Sequence, residues 1–341
     1  MRVLVTGHLG YIGAVLTPRL TALGHEVHGL DIGLYEGCDF GSKPAPIPSL
    51  ALDVRDVEAR HLQGFDAVIH LAALSNDPLG DINPELTYDI NYRASVRLAS
   101  CAQKAGVRRF LFSSSCSLYG AAGDAPLDEG ASFAPQTPYG ESKILTEQEL
   151  TKLADAEFSP VYLRNATVYG TSPRLRCDLV VNNLVGYALT TGEVLLKSDG
   201  TAWRPLVHVE DVCSAFESIL VAPREAVHDR AFNVGRPGEN YRIRDVARIV
   251  EETVEGTRVR IEAGASSDTR NYRVDFSRIT AEIPAFAPHW NVAAGARQIL
   301  DAYRANGMTA ERLESPRYFR IRTVQERQAA GTLGADLRPL A

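Results

Sequence analysis

The sequence predicts an α/β fold: a Rossmann-type doubly wound parallel sheet with a smaller, mixed C-terminal substrate-binding lobe. Three observations predict it. Residues 2–6 are a short apolar run that breaks directly into Gly7-His8-Leu9-Gly10-Tyr11-Ile12-Gly13. Residues 14–23 then carry helical periodicity up to Gly24, and 25–31 form a second strand-like run ending in Asp31. Beyond them, strand-length apolar runs alternate with helix-length segments as far as Gly170.

The first unit carries the most chemistry. Its glycines are spaced G-x-x-G-x-x-G, so bare backbone at Gly7, Gly10 and Gly13 lets amide N–H groups and a helix N-terminus approach a pyrophosphate, with Tyr11 and Ile12 in the same loop. Asp31 ends the second strand, where a carboxylate accepts from an adenosine ribose 2′-hydroxyl and repels a 2′-phosphate; no Arg or Lys follows immediately. The pattern therefore selects NAD over NADP. His8 reads either as a surface-loop residue or as a pyrophosphate contact.

Residues 50–54 read as a third strand, with Asp53 and Val54 at its end near the adenine edge. Residues 66–73 read as a fourth, with Leu71, Ala72 and Ala73 where the backbone must pass close to the cofactor. A long helix over 84–105 carries Asn91, and 108–115 is a fifth strand ending in Ser113-Ser114-Ser115. Tyr139 lies early in a helix running to 156, and 160–164 is a sixth strand.

After Gly170 the rhythm changes. A polar loop over 171–177 has Arg164, Arg174 and Arg176 in or near it. Helices are expected over 178–192, 241–254 and 294–306, and strands over 194–197, 231–235 and 258–263. Residues 203–211 read as a strand leading into a helix, and 268–275 as a basic, aromatic loop. The expected division is 1–170 as the NAD-binding domain with 205–235 returning to it, and 171–204 with 236–310 as the substrate lobe. Residues 311–341 form a weakly patterned tail that caps the fold or a partner subunit.

Composition bounds the rest. The chain has 341 residues, 45% hydrophobic and 23% charged, with a net charge of −6, which argues against nucleic acid or an anionic membrane as the main partner. The apolar start is one strand long, so no signal peptide is expected, and no run approaches a membrane span. Five scattered cysteines without a C-x-x-C pair fit free thiols in a reducing compartment, with no metal site, and a cytoplasmic enzyme.

Tyr139-Gly140-Glu141-Ser142-Lys143 places a phenol and an ammonium one helical turn apart on one face. The ammonium favours the phenolate, which makes Tyr139 a candidate general base for a sugar or steroid hydroxyl. Four features then occur in order: Thr6-Gly7-x-x-Gly10-x-x-Gly13, Leu71-Ala72-Ala73, Ser113-Ser114-Ser115-x-x-Leu118-Tyr119-Gly120, and Tyr139-x-x-x-Lys143. Together they resemble the extended short-chain dehydrogenase/reductase family, in its nucleotide-sugar epimerase and dehydratase branch. Trp203-Arg204-Pro205-Leu206-Val207-His208-Val209-x-Asp211 and Asp268-x-Arg270-x-Tyr272 resemble that branch too, and the likeness spans roughly residues 1 to 305.

The resemblance implies a catalytic set of Tyr139, Lys143 and Ser115. Tyr139 takes a hydroxyl proton, Lys143 holds the nicotinamide ribose, and Ser115 shares a hydrogen bond with the reacting oxygen. It implies that Ser75, Asn183, Arg204 and Arg270 meet a nucleotide-diphosphate sugar, the two arginines through its diphosphate. Asn91 fixes the active-site helix backbone or a water, or is an ordinary helix residue, and His208 is structural. It also implies a homodimer paired through the helices at 84–105 and 139–156.

Departures from the family pattern separate the reactions. The 4,6-dehydratases carry an Asp-Glu pair after the catalytic Ser/Thr; Cys116 and Ser117 stand there. The 3,5-epimerases place a reactive Cys at the position of Ser117, and strand alternation turns Cys116 away as a buried small residue. Thr167 stands where many relatives carry an Asn that touches the phosphates. The leading expectation is an NAD-dependent nucleotide-sugar 4-epimerase working through a 4-keto intermediate. The alternatives are an NAD(P)-dependent 4-ketosugar reductase or dehydrogenase, then a 4,6-dehydratase, or a non-catalytic NAD-sensing regulator.

Overall fold

The structure, a computed structural model, describes residues 1–75, 83–121, 123, 125–262 and 271–340. Its strands are β1 (Arg2–Thr6), β2 (Glu26–Asp31), β3 (Ser49–Ala51), β4 (Ala67–His70), β5 (Arg109–Ser115), β6 (Pro126–Leu127) and β7 (Ser159–Asn165). They continue as β8 (Thr167–Tyr169), β9 (Glu193–Leu196), β10 (Trp203–His208), β11 (Arg230–Val234), β12 (Asn240–Arg242), β13 (Arg258–Ile261) and β14 (Arg273–Val274). Seven of these form one sheet in the order β3-β2-β1-β4-β5-β7-β11, every pair parallel.

Parallel pairing follows from the helices between the strands, which cover both faces and leave the central strands apolar along their length. Alternation sorts the side chains. Val3, Val5, Ile69, Leu111 and Val161 pack into one core cluster, while Leu4, Val68, Phe110 and Tyr162 pack into another. The chain builds outward from β1 to β3 and then crosses back to β4, so the strand order reverses between β1 and β4. Gly7 and Leu71 follow those two strands at the carboxyl edge, where the reversal opens a crevice.

Helix Gly13–Ala22 follows the glycine loop. Helix Pro138–Leu153 starts at Thr137, whose hydroxyl accepts from the Gly140 amide at 3.3 Å, with Pro138 in the first turn where its missing N–H costs nothing. The fourth strand, expected over 66–73, spans only Ala67–His70, and the third strand and the long helix also differ from the sequence expectation. The third strand ends at Ala51, because Asp53 accepts from the Arg55 amide at 2.8 Å and turns the chain into a short 3-10 helix, Val54–Asp56. The expected helix over 84–105 is Pro84–Thr87 and Ala94–Lys104 with a π-helical segment, Tyr88–Arg93, between them.

The smaller sheets gather the later strands: β10 lies between β8 and β12, β13 pairs β9, and β14 pairs β6. Residues 205–208 thus pair outside the large sheet. The chain comes back to it with helix Val209–Val221, which packs on β5 and β7, and with β11 at the sheet edge. A third core cluster, including Val185, Leu206, Val246, Ile299 and Tyr303, sits in this part.

The tail has more structure than its pattern suggests. Helices Ala310–Glu314 and Arg320–Ala329 lead to a final stretch in which Leu333 and Leu337 pack with Val324, Leu34 and Leu74. Arg327 donates to the Gly33 and Leu34 carbonyls at 3.1 and 2.8 Å, fastening the tail to the loop after β2 of its own chain. Among the described residues no helix is long and apolar enough to cross a membrane.

Candidate active site

A cavity of about 660 Å³ opens along the carboxyl edge of the large sheet. Its first end is made of main chain. Gly7 has φ 72°, and a Cβ there would sit 2.7 Å from the Ala72 nitrogen; a Cβ on Gly13 would sit 2.4 Å from the Gly7 oxygen. The loop from Leu9 to Ile12 lines the cavity, tied down by Gly10 N donating to Gly7 O at 2.9 Å and by the Tyr11 hydroxyl donating to Gly170 O at 2.7 Å. Asp31 accepts from the Leu9 amide at 3.1 Å and the Gly33 amide at 2.9 Å while lining the same space. Asp53 and Val54 line it too, the Asp53 carboxylate held by Arg55 at 2.6 Å.

Leu71, Ala72 and Ala73 form the facing wall. A buried chain of polar groups fixes them: Thr6 Oγ1 meets His70 Nδ1 at 2.7 Å, and His70 Nε2 meets Ser95 Oγ at 2.7 Å. Burial pulls the His70 pKa down to about 3, so the ring is neutral. The Asn91 amide clamps Leu74, accepting from its N–H at 2.7 Å and donating to its carbonyl at 3.0 Å. The Asn91 carbonyl, inside the π-helical segment, accepts from Ser95 and from Thr146 of the Tyr139 helix. Asn91 is therefore a backbone clamp. His8 is neither exposed nor on the cavity wall: its ring is buried against Gly29, where a Cβ would come within 2.5 Å, and burial lowers its pKa.

The other end is made of side chains. Tyr139, Lys143, Ser115 and Ser117 share its wall. Lys143 is buried, donates to the Ser113 carbonyl at 2.7 Å, and lies 4.6 Å from the Phe112 ring centre and 5.5 Å from that of Tyr139. Burial pulls its pKa down to about 7, against the opposing charge of Glu147. Ser115 Oγ accepts from Ser117 N at 3.2 Å and Ser117 Oγ at 2.9 Å, capping the 3-10 turn Cys116–Tyr119. Cys116 is off the cavity wall and buried, its thiol donating to the Arg164 carbonyl at 3.0 Å and pushed up in pKa by burial. Beneath the wall, Glu147 holds Arg164 at 2.6 Å and accepts from Ser114 at 2.5 Å.

Arg204, Tyr272 and Thr167 complete the cavity on the side of the smaller sheets, and Ser75 lines it just beyond the Leu71–Ala73 wall. Arg204 donates to the Trp203 carbonyl at 2.7 Å, and Ser75 Oγ accepts from Arg176 at 3.1 Å. Arg176 is itself paired with Asp178 at 3.0 Å. Asn183 is not on the wall; its amide donates to the Cys177 carbonyl at 2.9 Å. Asn183 stands in helix Val180–Thr191, and its side chain turns back to the loop ahead of that helix. Arg270 lies outside the described residues.

The comparisons fit this geometry. The NAD dependent epimerase/dehydratase family matches residues 3–235. The chain belongs to that family. A UDP-glucose 4-epimerase of Azospirillum brasilense is 30% identical over 274 residues, covering 74% of this chain and 77% of that one. Among solved structures, TunA, an NAD dependent NDP-hexosamine 5,6-dehydratase of tunicamycin biosynthesis, superposes with a TM-score of 0.79 at 25% identity, covering 89% and 98% of the two chains. The Thermus thermophilus UDP-glucose 4-epimerase complex with NAD gives 0.76 at 26% identity, covering 89% and 99%.

As a member of the family, the chain is an NAD-dependent enzyme, and its residues fit that cofactor. The glycine cradle would be filled by any Cβ at Gly7 or Gly13, and Asp31 sits on the cavity wall at the end of β2. Sequence reasoning missed two features of the family member's cavity. Arg320 and Leu337, both from the tail, line it. Arg176 was read only as one of several arginines in a loop; it lines the cavity as half of a buried ion pair.

Proposed function

We propose that the chain is a nucleotide-sugar 4-epimerase. The observation that carries the reading is one wall shared by Tyr139, Lys143 and Ser115, with no carboxylate at either position after Ser115. Bound NAD supplies a hydride acceptor and donor, so no reductant is consumed over a cycle. Tyr139 takes the proton of the sugar C4 hydroxyl as hydride leaves C4, and returns it to the C4 oxygen once hydride has come back to the other face of the 4-keto sugar. The Lys143 ammonium, held by the Ser113 carbonyl, stabilises the phenolate through the ring it faces. The Ser115 hydroxyl donates to the C4 oxygen as charge moves there. Cys116 and Ser117 offer no acid to drive elimination.

In this reading Arg204 meets the diphosphate of the sugar nucleotide, which lies between the 1–170 domain, with 205–235, and the lobe of 171–204 and 236–310. Two copies pair through the helices at 84–105 and 139–156, which sedimentation tests directly. The activity test presents purified protein with UDP- and dTDP-hexoses and follows C4 inversion by NMR together with NADH absorbance. Inversion without net NADH change is expected. Stoichiometric consumption of NAD(P)H would instead identify the reductase alternative.

A further inference from the structure

We propose that Arg320, on the C-terminal tail, binds the pyrophosphate of the cofactor; this rests on the reading of the cavity as the NAD site. Arg320 lies outside the residues matched to the family and opens helix Arg320–Ala329. It is 3% exposed and lines the same cavity as Leu9, Gly10 and Ile12. Its guanidinium lies 4.0 Å from the centre of the Tyr35 ring, and its Nη2 donates to the Arg174 carbonyl at 3.0 Å. Arg174 in turn donates through Nε to the Leu9 carbonyl at 3.1 Å, so Arg320 is tied to the glycine loop through one residue.

The charge around it does not balance. Arg320 Nη1 is buried and has no hydrogen-bond partner among the described residues. The nearby carboxylate, Asp178, is engaged by both Nε and Nη2 of Arg176 at 3.0 Å, and Asp31 is occupied by two loop amides. Burial also pulls the Arg320 pKa below its ordinary value, yet a guanidinium keeps its proton at neutral pH. A buried cation with an open donor is costly unless an anion completes it. The pyrophosphate has the charge and the planar oxygen pairs that suit the guanidinium fork. An adenosine 2′-phosphate is the weaker fit, since Asp31 stands at the ribose end and repels it.

The tail is also fixed where such a contact needs it. Arg327 holds the Gly33 and Leu34 carbonyls, Arg338 pairs with Asp56, and Leu337 lines the cavity. The contact therefore depends on tail docking, because Arg320 cannot reach the pyrophosphate unless the tail is seated.

The test uses full-length wild type, Arg320→Met and Arg320→Lys, each stripped of cofactor. Calorimetry measures NAD, NADP, ADP-ribose, adenosine and UDP, and the melting midpoint of each cofactor-free protein is recorded. Arg320→Met should weaken NAD and ADP-ribose alike by about tenfold to a hundredfold and leave adenosine and UDP within about twofold. Lysine should restore part of the loss. The cofactor-free methionine variant should melt no lower than wild type, since an uncompensated buried charge has been removed. Unchanged NAD affinity overturns the proposal, as does a loss confined to NADP or to UDP. A lower midpoint with adenosine weakened equally would make Arg320 a structural residue only. A wild type that binds no NAD sinks the cofactor reading, and the proposal with it.

Discussion

The two ends of the cavity are built from different material. From Gly7 to Gly13 and from Leu71 to Ala73 the wall is main chain, brought close because side chains are missing or small. Around Ser115, Tyr139 and Lys143 it is side chains resting on a buried polar network, in which Ser114 and Arg164 converge on Glu147 and Arg164 also reaches Tyr119. The first end should fail when an atom is added. The second should fail when one is removed.

Tyr139→Phe removes one oxygen from the second end and should have the largest effect. Loss of the general base is expected to lower turnover by about 10²–10⁴-fold while NAD stays bound. Steady-state rates on the accepted sugar, with bound NAD quantified after denaturation, decide it; full turnover in the variant would overturn the catalytic assignment.

Glu147→Gln removes a charge one layer below. Arg164 would keep its buried charge but lose the carboxylate that balances it, which should cost about 3–5 kcal/mol of folding stability. Urea denaturation measures it, and a loss under about 1 kcal/mol would mean that the network does not support this end. Gly13→Ala makes the opposite change at the first end. The new methyl would meet the Gly7 carbonyl and His8 main chain, neither of which can swing away, so about 1–3 kcal/mol and much of the NAD affinity should go together. A variant that binds NAD normally would show that the loop relaxes.

The same contrast explains what could be read in the sequence. Main-chain requirements leave marks in residue type, so the glycines, Asp31 and the small residues at Ala72 and Ala73 pointed to their place before any coordinates. Tyr139 and Lys143 were legible because helical spacing alone sets them on one face. Asn183 and Asn182 look alike in sequence, yet the first donates back to the Cys177 carbonyl ahead of its helix and the second bridges Gly170; only the path of the loop before Val180 separates them. Arg320 and Leu337 were invisible for a different reason. Their contacts with the loop after β2 span nearly the whole chain, and neither helix pattern nor motif records such pairing. The π-helical turn at Asn91 was hidden too, since it keeps the apolar pattern of an ordinary helix.

Titration gives the smallest and most selective way to separate the two ends. His70 serves the main-chain end and is held near a pKa of about 3, against an ordinary 6.5, by burial. Lys143 serves the side-chain end and is held near about 7, against an ordinary 10.5, also by burial. In both cases the unfolded chain binds more protons between the two values, so stability rises with pH across that window and falls as pH is lowered through it. The windows do not overlap: His70 acts between about pH 3 and 6.5, and Lys143 between about 7 and 10.5. Each can contribute at most about 1.4 kcal/mol per pH unit inside its window. Urea midpoints of cofactor-free protein should therefore climb from about pH 7.5 to about pH 9, and Lys143→Met should flatten that climb without changing the slope between about pH 4 and 6. His70→Gln should do the reverse. If Lys143→Met leaves the alkaline slope intact, its ammonium is not being desolvated in the folded protein. Lys143 would then keep its proton well above pH 7, and its ammonium would support the phenolate across the whole alkaline range.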